Sequence, residues 1–597
     1  MAFVANYSYL VMALANFVVP AVAQGQIVPV TGLATGINQG TGERPARKNI
    51  NDLHATGGPA WDLYILGLSE LQNRSESDPL SYFQIAGIHG RPFISWNGVN
   101  NITKDDQLGF CPHSQVLFTA WHRPFMALYE QTLGDHVQAL ASQYNDSSSA
   151  SYKAAAESFR VPYWDWAADY RLPTSTTDQR VTVKGPHGQV DIPNPLYSYK
   201  WQEFPLKSDP NYFPKDDPQK SCWFWNETKR QPDDNGEDQY NVVNDSLADI
   251  GNPLKDQVYR VFTTANDYET MASTSDPGPS FEMPHDQVHT AMGAIMYYTD
   301  YSAFDPVFWL HHANVDRLYA LWQAIHYNNT YQTQSRQMGP LYATPAGNVT
   351  ADTPLRPFHR SNDPTDFHTG KTVAAIATFG YTYPEINDWS LSSDETRKAV
   401  IAQVNQLYSN GANGLSSAPP SRRGSPRRRR RQQDQQQQQQ QRQTSKEYYA
   451  KVSVQRADLQ LPCTIRIMLG DEKAGQVSLL SMPTSGQTHG EVPLTRALDR
   501  ALASSGSSPS AKNNNKALIS DTKFVASKLS QLFHVEIQQA DGTVIPVESV
   551  PSLSVEVEGA DVVAASHIEE FPTYGAVTRL SGVGFGKLAR KDANTRL

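Results

Sequence analysis

Only three cysteines, Cys111, Cys222 and Cys463, occur in 597 residues. That scarcity excludes a disulfide-stapled scaffold, and a chain this long buries enough core to do without one. The odd count leaves at least one cysteine for another purpose, while Cys222 and Cys463 could pair. An excess of one charge is also missing: the net charge of −9 at pH 7 argues against nucleic acid as the main partner. No stretch beyond the N-terminal region is long and apolar enough to cross a bilayer, which takes about 20 residues. Alternating strand patterns are hard to find before residue 405, so the first part reads as mainly helical with much loop.

One apolar run does occur, Tyr9–Ala23, ending in the small-x-small pattern Ala21-Val22-Ala23. It is too short for a comfortable span and reads as a secretory signal peptide over residues 1–23, although no Lys or Arg precedes it. Sequons at Asn73, Asn101, Asn145, Asn226, Asn244, Asn328 and Asn348 fit a secreted, glycosylated surface.

Helical patterns cover Gln115–Gln138, Asp305–Ile325 and Asp394–Tyr408, the second opened by Asp305 as cap and Pro306 in the first turn. Residues 409–445 differ sharply. They hold Arg422 and Arg423, then Arg427, Arg428, Arg429, Arg430 and Arg431, then a glutamine tract. Such a composition has nothing to bury and reads as a disordered linker with a processing site for a basic-residue protease. Period-two alternation returns at Tyr449–Val454, Cys463–Met468, His534–Ile537 and Leu553–Val557, predicting a β-sandwich-like domain over 446–597. The part at 24–408 is then a separate domain.

Seven of the sixteen histidines fall into local patterns. His285 and His289 stand at i, i+4 on one helix face. His312 shares its face with Phe308 and Asp316, and His311 points about a hundred degrees away. Cys111-Pro-His113 precedes Trp121-His122-Arg-Pro, with His89 upstream in Ile88-His-Gly. Two groups of three histidines read as a pair of three-imidazole metal sites, and imidazole suits copper.

Together with Phe379-Gly-Tyr-Thr-Tyr-Pro384, these stretches make the chain resemble the fungal tyrosinase family, in its long secreted form with a C-terminal pro-domain. The resemblance implies a four-helix bundle around two copper ions, one held by His89, His113 and His122, the other by His285, His289 and His312. It implies a thioether between Cys111 and His113, and an anchor in which Arg47 meets Asp316, Tyr381 and Tyr383. Glu282 matches a carboxylate that orders a water for phenol deprotonation. Asp286 stands where asparagine is common and could accept a proton or simply place charge beside His285. Thr299, with Phe308, matches a gate over the second copper. A covering aromatic from the C-terminal domain is sought at Phe571 or Tyr574.

The expected activity is O₂-dependent hydroxylation of monophenols and oxidation of o-diphenols to o-quinones by a latent zymogen that a protease activates. A catechol or o-aminophenol oxidase without the first activity is the alternative. A haemocyanin-like oxygen carrier is a remoter one.

Overall fold

Helix boundaries in the N-terminal part follow local capping chemistry. Asp305 accepts a hydrogen bond from the Val307 amide at 2.9 Å, Pro306 fills the first turn, and the helix runs Pro306–Ile325. Ser392 and Glu395 form a reciprocal capping box opening Ser393–Tyr408. The protein is seen in a computed structural model that describes residues 25–104, 108–202, 225–409, 444–504 and 518–585. The segment 1–23, Cys222 and the arginines Arg422, Arg423 and Arg427–Arg431 lie outside the described residues.

Six helices matter for the site: α1 (Pro59–Asn73), α2 (Phe118–Gln143), α3 (Tyr240–Thr264), α4 (Glu282–Met292), α5 (Pro306–Ile325) and α6 (Ser393–Tyr408). The bundle is made by α2, α3, α4 and α5. Helices α2 and α5 pack on each other, α4 packs on α3, and α6 closes the outside against α3 and α5. Long loops join them, and among the described residues the regular strands here are two short hairpins, Arg180–Pro193 and Arg336–Val349. The core is strongly aromatic: Tyr129 stacks on Trp309 at 4.0 Å, while Trp121, Phe125 and Phe358 pack beside the histidines. Each large apolar side chain so buried contributes about 1.5–3 kcal/mol. Helix α5 is buried at nearly every position, which is why its hydrophobic pattern wraps all round rather than forming one stripe.

The C-terminal part has its own apolar core. Its strands are β1 (Thr444–Gln455), β2 (Cys463–Leu469), β3 (Glu472–Leu479), β4 (Gln487–Pro493), β5 (Phe533–Gln539), β6 (Val544–Ile545), β7 (Ser554–Val563) and β8 (Thr573–Phe585). They form two antiparallel four-stranded sheets, ordered β6-β5-β2-β3 and β8-β7-β1-β4. The β5–β6 turn uses Asp541-Gly542, with Gly542 at φ +86° where only glycine is unstrained. Cys463 is fully buried in β2 as a free thiol.

This domain lies directly on α3 and α4. Met283 of α4 belongs to the C-terminal core, and Thr290 shares a 2.8 Å hydrogen bond with Ser478. Arg260 of α3 pairs with Glu491 at 2.6 Å and stacks over Tyr449 and Tyr574. Arg496 pairs with Asp256, and Lys473 with Asp249.

Candidate metal centre

His122 sits one turn into α2, His285 and His289 are one turn apart on α4, and His312 lies in the second turn of α5. His89 and His113 come from loops. The close approach of Gly90 to the Asp300 backbone positions His89: a Cβ on Gly90 would fall 2.4 Å from the Asp300 oxygen. All six rings are at most 3% exposed.

Four rings are turned the same way. The Nδ1 atoms of His89, His122 and His289 meet the carbonyl oxygens of Thr299, Phe118 and Met296 at 2.9, 2.8 and 2.7 Å. His285 Nδ1 meets Asp286 Oδ1 at 2.9 Å. Such anchors select the Nδ1–H tautomer and leave Nε2 with a free lone pair. The Nε2 atoms converge: His89 on His113 at 3.1 Å, and His285 on His312 at 3.2 Å. His289 Nε2 is buried with no partner. Burial holds every ring well below the usual histidine range, His289 at about 4 and His122 at about 3. Neutral, dry, converging imidazoles with orphaned lone pairs fit two metal ions and suit copper. The two groups face each other, with His122 stacked on His312 at 4.5 Å.

Two further donors flank the groups. Cys111 is a free thiol whose Sγ lies 3.3 Å from His122 Nε2 and within 4.8 Å of the donor nitrogens of His89 and His113. His311 stacks on His285 at 4.9 Å, and both of its ring nitrogens are buried without partners.

Glu282 is fully buried and accepts from four donors. Oε1 takes the Ser114 amide at 2.5 Å; Oε2 takes Ser273 Oγ, the Thr274 amide and Thr274 Oγ1. It is therefore not the cap of the helix that it opens. Burial raises its carboxyl to about 7 despite those bonds. Asp286 is also raised, by burial and then by Glu282.

Arg47 is fully buried and bonds Glu130, Asp316 Oδ2 (3.0 Å) and the Tyr383 hydroxyl (3.0 Å), with its guanidinium 3.7 Å over the Tyr381 ring. Tyr381 and Tyr383 both donate to Asp316, at 2.6 and 2.7 Å. This hub ties the N-terminal loop to α5 one turn beyond His312.

Four further positions stand as follows. Thr299 stands against the first histidine group: its carbonyl holds His89, and its hydroxyl meets Ser481 of the C-terminal domain at 2.7 Å. Phe308, one turn before His312, is buried between the two groups, 4.1 Å from that ring and 4.9 Å from His89. Phe571 packs on Tyr259 of α3, and the Tyr574 hydroxyl lies between Thr263 and Glu447, so neither covers the histidines. Phe571, in the β7–β8 connection, and Tyr574, at the start of β8, both meet α3. The β3–β4 loop reaches the site instead, with Arg456 behind it. Nothing in the sequence marked Ser114, Ser273, Thr274, Arg456 or Ser481, because each is an ordinary polar residue until folding brings it to Glu282 or Thr299.

Residues 79–325 match the family described as the common central domain of tyrosinase, and residues 447–557 match the tyrosinase C-terminal domain. Tyrosinase of Neurospora crassa is 33% identical over 405 residues, covering 64% of this chain and 58% of that protein. Tyrosinase of Podospora anserina is 32% identical over 407 residues, covering 64% and 69%. The matches thus span 58% to 69% of these two curated relatives. Among solved structures, recombinant mushroom tyrosinase aligns at TM-score 0.76 and 21% identity over 93% of this chain and 99% of that one. An Aspergillus oryzae pro-tyrosinase variant aligns at 0.66 and 22%, over 94% and 99%. At those identities the structures speak for the fold, and the sequence matches carry the kinship: the chain belongs to the tyrosinase family.

Proposed function

We propose that this protein is a tyrosinase-type copper oxidase that uses molecular oxygen to hydroxylate monophenols and to oxidise o-diphenols to o-quinones. The observation that supports it best is the convergence of the Nε2 atoms from two three-histidine groups, four of whose six rings are anchored at Nδ1 on carbonyl and carboxylate oxygens. His89, His113 and His122 would hold one copper ion, and His285, His289 and His312 the other. When bound, the copper pair supplies the activation of O₂ and accepts the substrate's electrons.

The chain's own residues manage the proton and the water. A phenol with a pKa of about 10 must lose its proton on binding. Glu282, raised to about 7, is poised to hold a proton near neutral pH. Its Oε1 is the available atom, 2.5 Å from the Ser114 amide and 3.9 Å from His113 Nδ1, and a water there would carry the proton. Asp286 serves as anchor of His285 and fixes its tautomer. Cys111, half-buried beside the first group, is the partner for a thioether to His113.

Latency belongs to the same reading. The C-terminal domain lies on α4 and leaves the histidines at most 3% exposed, so a phenol needs that domain to move. A protease acting at Arg422–Arg431 would free it, and secretion would bring the two together.

A second reading, oxidation of diphenols alone, is favoured by the saturation of Glu282 Oε2 by three donors and by aspartate at 286. Tyrosine hydroxylation without added diphenol separates the two. For the main reading, His122→Ala and His285→Ala are each expected to bind about half the copper, by the three-imidazole count, and to lose most catechol oxidation. Full activity in either variant overturns it.

A further inference from the structure

The C-terminal domain bears on the metal centre through one buried cation. Arg456 follows β1 and is 1% exposed. Its Nε donates to the Pro483 carbonyl at 2.6 Å, and its Nη2 donates to the carbonyls of Leu480 (2.5 Å) and Met482 (3.3 Å). Its backbone amide donates to Gly486, so one residue grips the β3–β4 loop from end to end. The remaining nitrogen, Nη1, donates to Thr488 Oγ1 and crosses the domain boundary to Ser114 Oγ, both at 3.2 Å.

Both ends of this grip meet groups that hold the first histidine site. Ser114 follows His113, sits at φ +50° and donates its amide to Glu282. Within the gripped loop, Ser481 bonds the hydroxyl of Thr299, whose carbonyl anchors His89. Thr274, another donor to Glu282, also donates to Ser114 Oγ and accepts the His489 amide at its carbonyl. Among the described residues, Arg456 makes no direct ion pair with a carboxylate. The carboxyl groups of Asp286 and then Glu282 act on it through space, from across the domain boundary.

Resting on the reading that this domain covers the copper pair, we propose that Arg456 is the pin of the cover. It acts as a positioning residue that holds the loop Leu480–Gly486 in its closed shape and locks it to Ser114 of the catalytic domain. A flexible loop that covers a site must give up its conformational freedom to stay there. Five hydrogen bonds from one guanidinium supply that order, and a charged donor strengthens each. The ion pairs along α3 then hold the domain in place, while Arg456 holds the shutter. Because a tethered cover competes with substrate, freeing the loop should act on KM first and leave kcat near that of cut protein.

The test compares three copper-matched proteins: the intact chain, the chain cut at an introduced protease site in the linker, and intact Arg456→Gln. Catechol is the probe, and hydrogen exchange over residues 480–486 is the second readout. Arg456→Gln is expected to lower KM at least about tenfold, the effect of losing one charge-assisted hydrogen bond, with kcat close to that of the cut protein. Exchange should quicken in the loop while β1 and β2 stay protected. If Arg456→Gln is as latent as the intact wild type while the cut chain is active, the pin is refuted and the cover stands. If the intact wild type is already as active as the cut chain, the covering reading itself falls. Should β1 and β2 lose protection in Arg456→Gln, Arg456→Lys decides: it keeps the charge but not the fork, so partial opening supports the pin and full latency refutes it.

Discussion

Cys111 and Asp316 show how much a single side chain can settle. Burial, and then the Glu282 and Asp286 carboxylates, raise the Cys111 thiol, so little of it is thiolate near neutral pH. Copper-loaded protein is expected to be lighter by two hydrogens, with Cys111 resisting alkylation in denaturant. Complete alkylation of all three cysteines would remove the thioether. At Asp316, burial works to raise the carboxyl, yet Arg123 and then Arg47 outweigh it and hold it below the usual range. A depressed folded value means stability that is complete above the unfolded pKa of about 3.9 and is lost as pH falls below it. Asp316→Asn is expected to cost about 3–5 kcal/mol at neutral pH, since it removes the carboxylate partner of buried Arg123 and leaves buried Arg47 with the Glu130 carboxylate alone. Its stability should also fall less steeply than wild type below about pH 4. Thermal unfolding of metal-free protein at pH 7 and pH 3 measures both effects. Equal slopes in acid would show that Asp316 is not the group titrating.

At the scale of elements, the helices carry four of the six histidines and the loops carry two, and the loops are the fragile part. His89 depends on two backbones in contact, Gly90 against Asp300, with the Arg91 amide donating to Asp300 at 2.8 Å. A methyl group at Gly90 has no room there, and overpacking of this kind costs about 1–3 kcal/mol. Gly90→Ala is expected to keep its fold and its second copper while losing the first, because the His285, His289 and His312 group is built on α4 and α5. Copper content and the circular dichroism of the variant check this. Two full equivalents of copper would mean that the loop can move without releasing His89.

For the whole molecule, ion pairs and apolar contacts alternate across the interface between the domains. Arg260–Glu491 is nearly dry, Arg496–Asp256 is partly open, and Met283 and Phe571 pack across the boundary. Partly open ion pairs are screened by salt, whose Debye length shrinks from about 10 Å at 0.1 M to about 3 Å at 1 M. After a cut in the linker, in reductant, the halves are expected to co-elute from a sizing column at low salt and to separate at high salt. Separation should track the gain in catechol oxidation. Co-elution at both salt concentrations would show that packing around Met283, rather than charge, holds the cover.

Much of the centre was legible in the chain because its signals are local. The i, i+4 spacing of His285 and His289, the Asp305-Pro306 cap and the one-turn spacing of Phe308, His312 and Asp316 are consequences of helix geometry, which needs no tertiary partner. Period-two patterns likewise exposed strands at 449–454, 463–468, 534–537 and 553–557, since alternation records a sheet with two unlike faces. What covers the site was not legible. Phe571 and Tyr574 are the aromatic residues that a motif search favours, yet they dock on α3, while an unremarkable Leu-Ser-Met-Pro loop reaches Thr299. The reason is physical: which loop meets the histidines depends on how two rigid bodies dock, and docking is decided by complementary pairs such as Arg260–Glu491 and Arg456–Ser114, whose members lie more than two hundred residues apart. Sequence by itself picked out the six histidines that the fold brings together and the helices that carry four of them. Only the tertiary structure decided which loop lies against Thr299 and which residues hold the carboxylate beside the histidines.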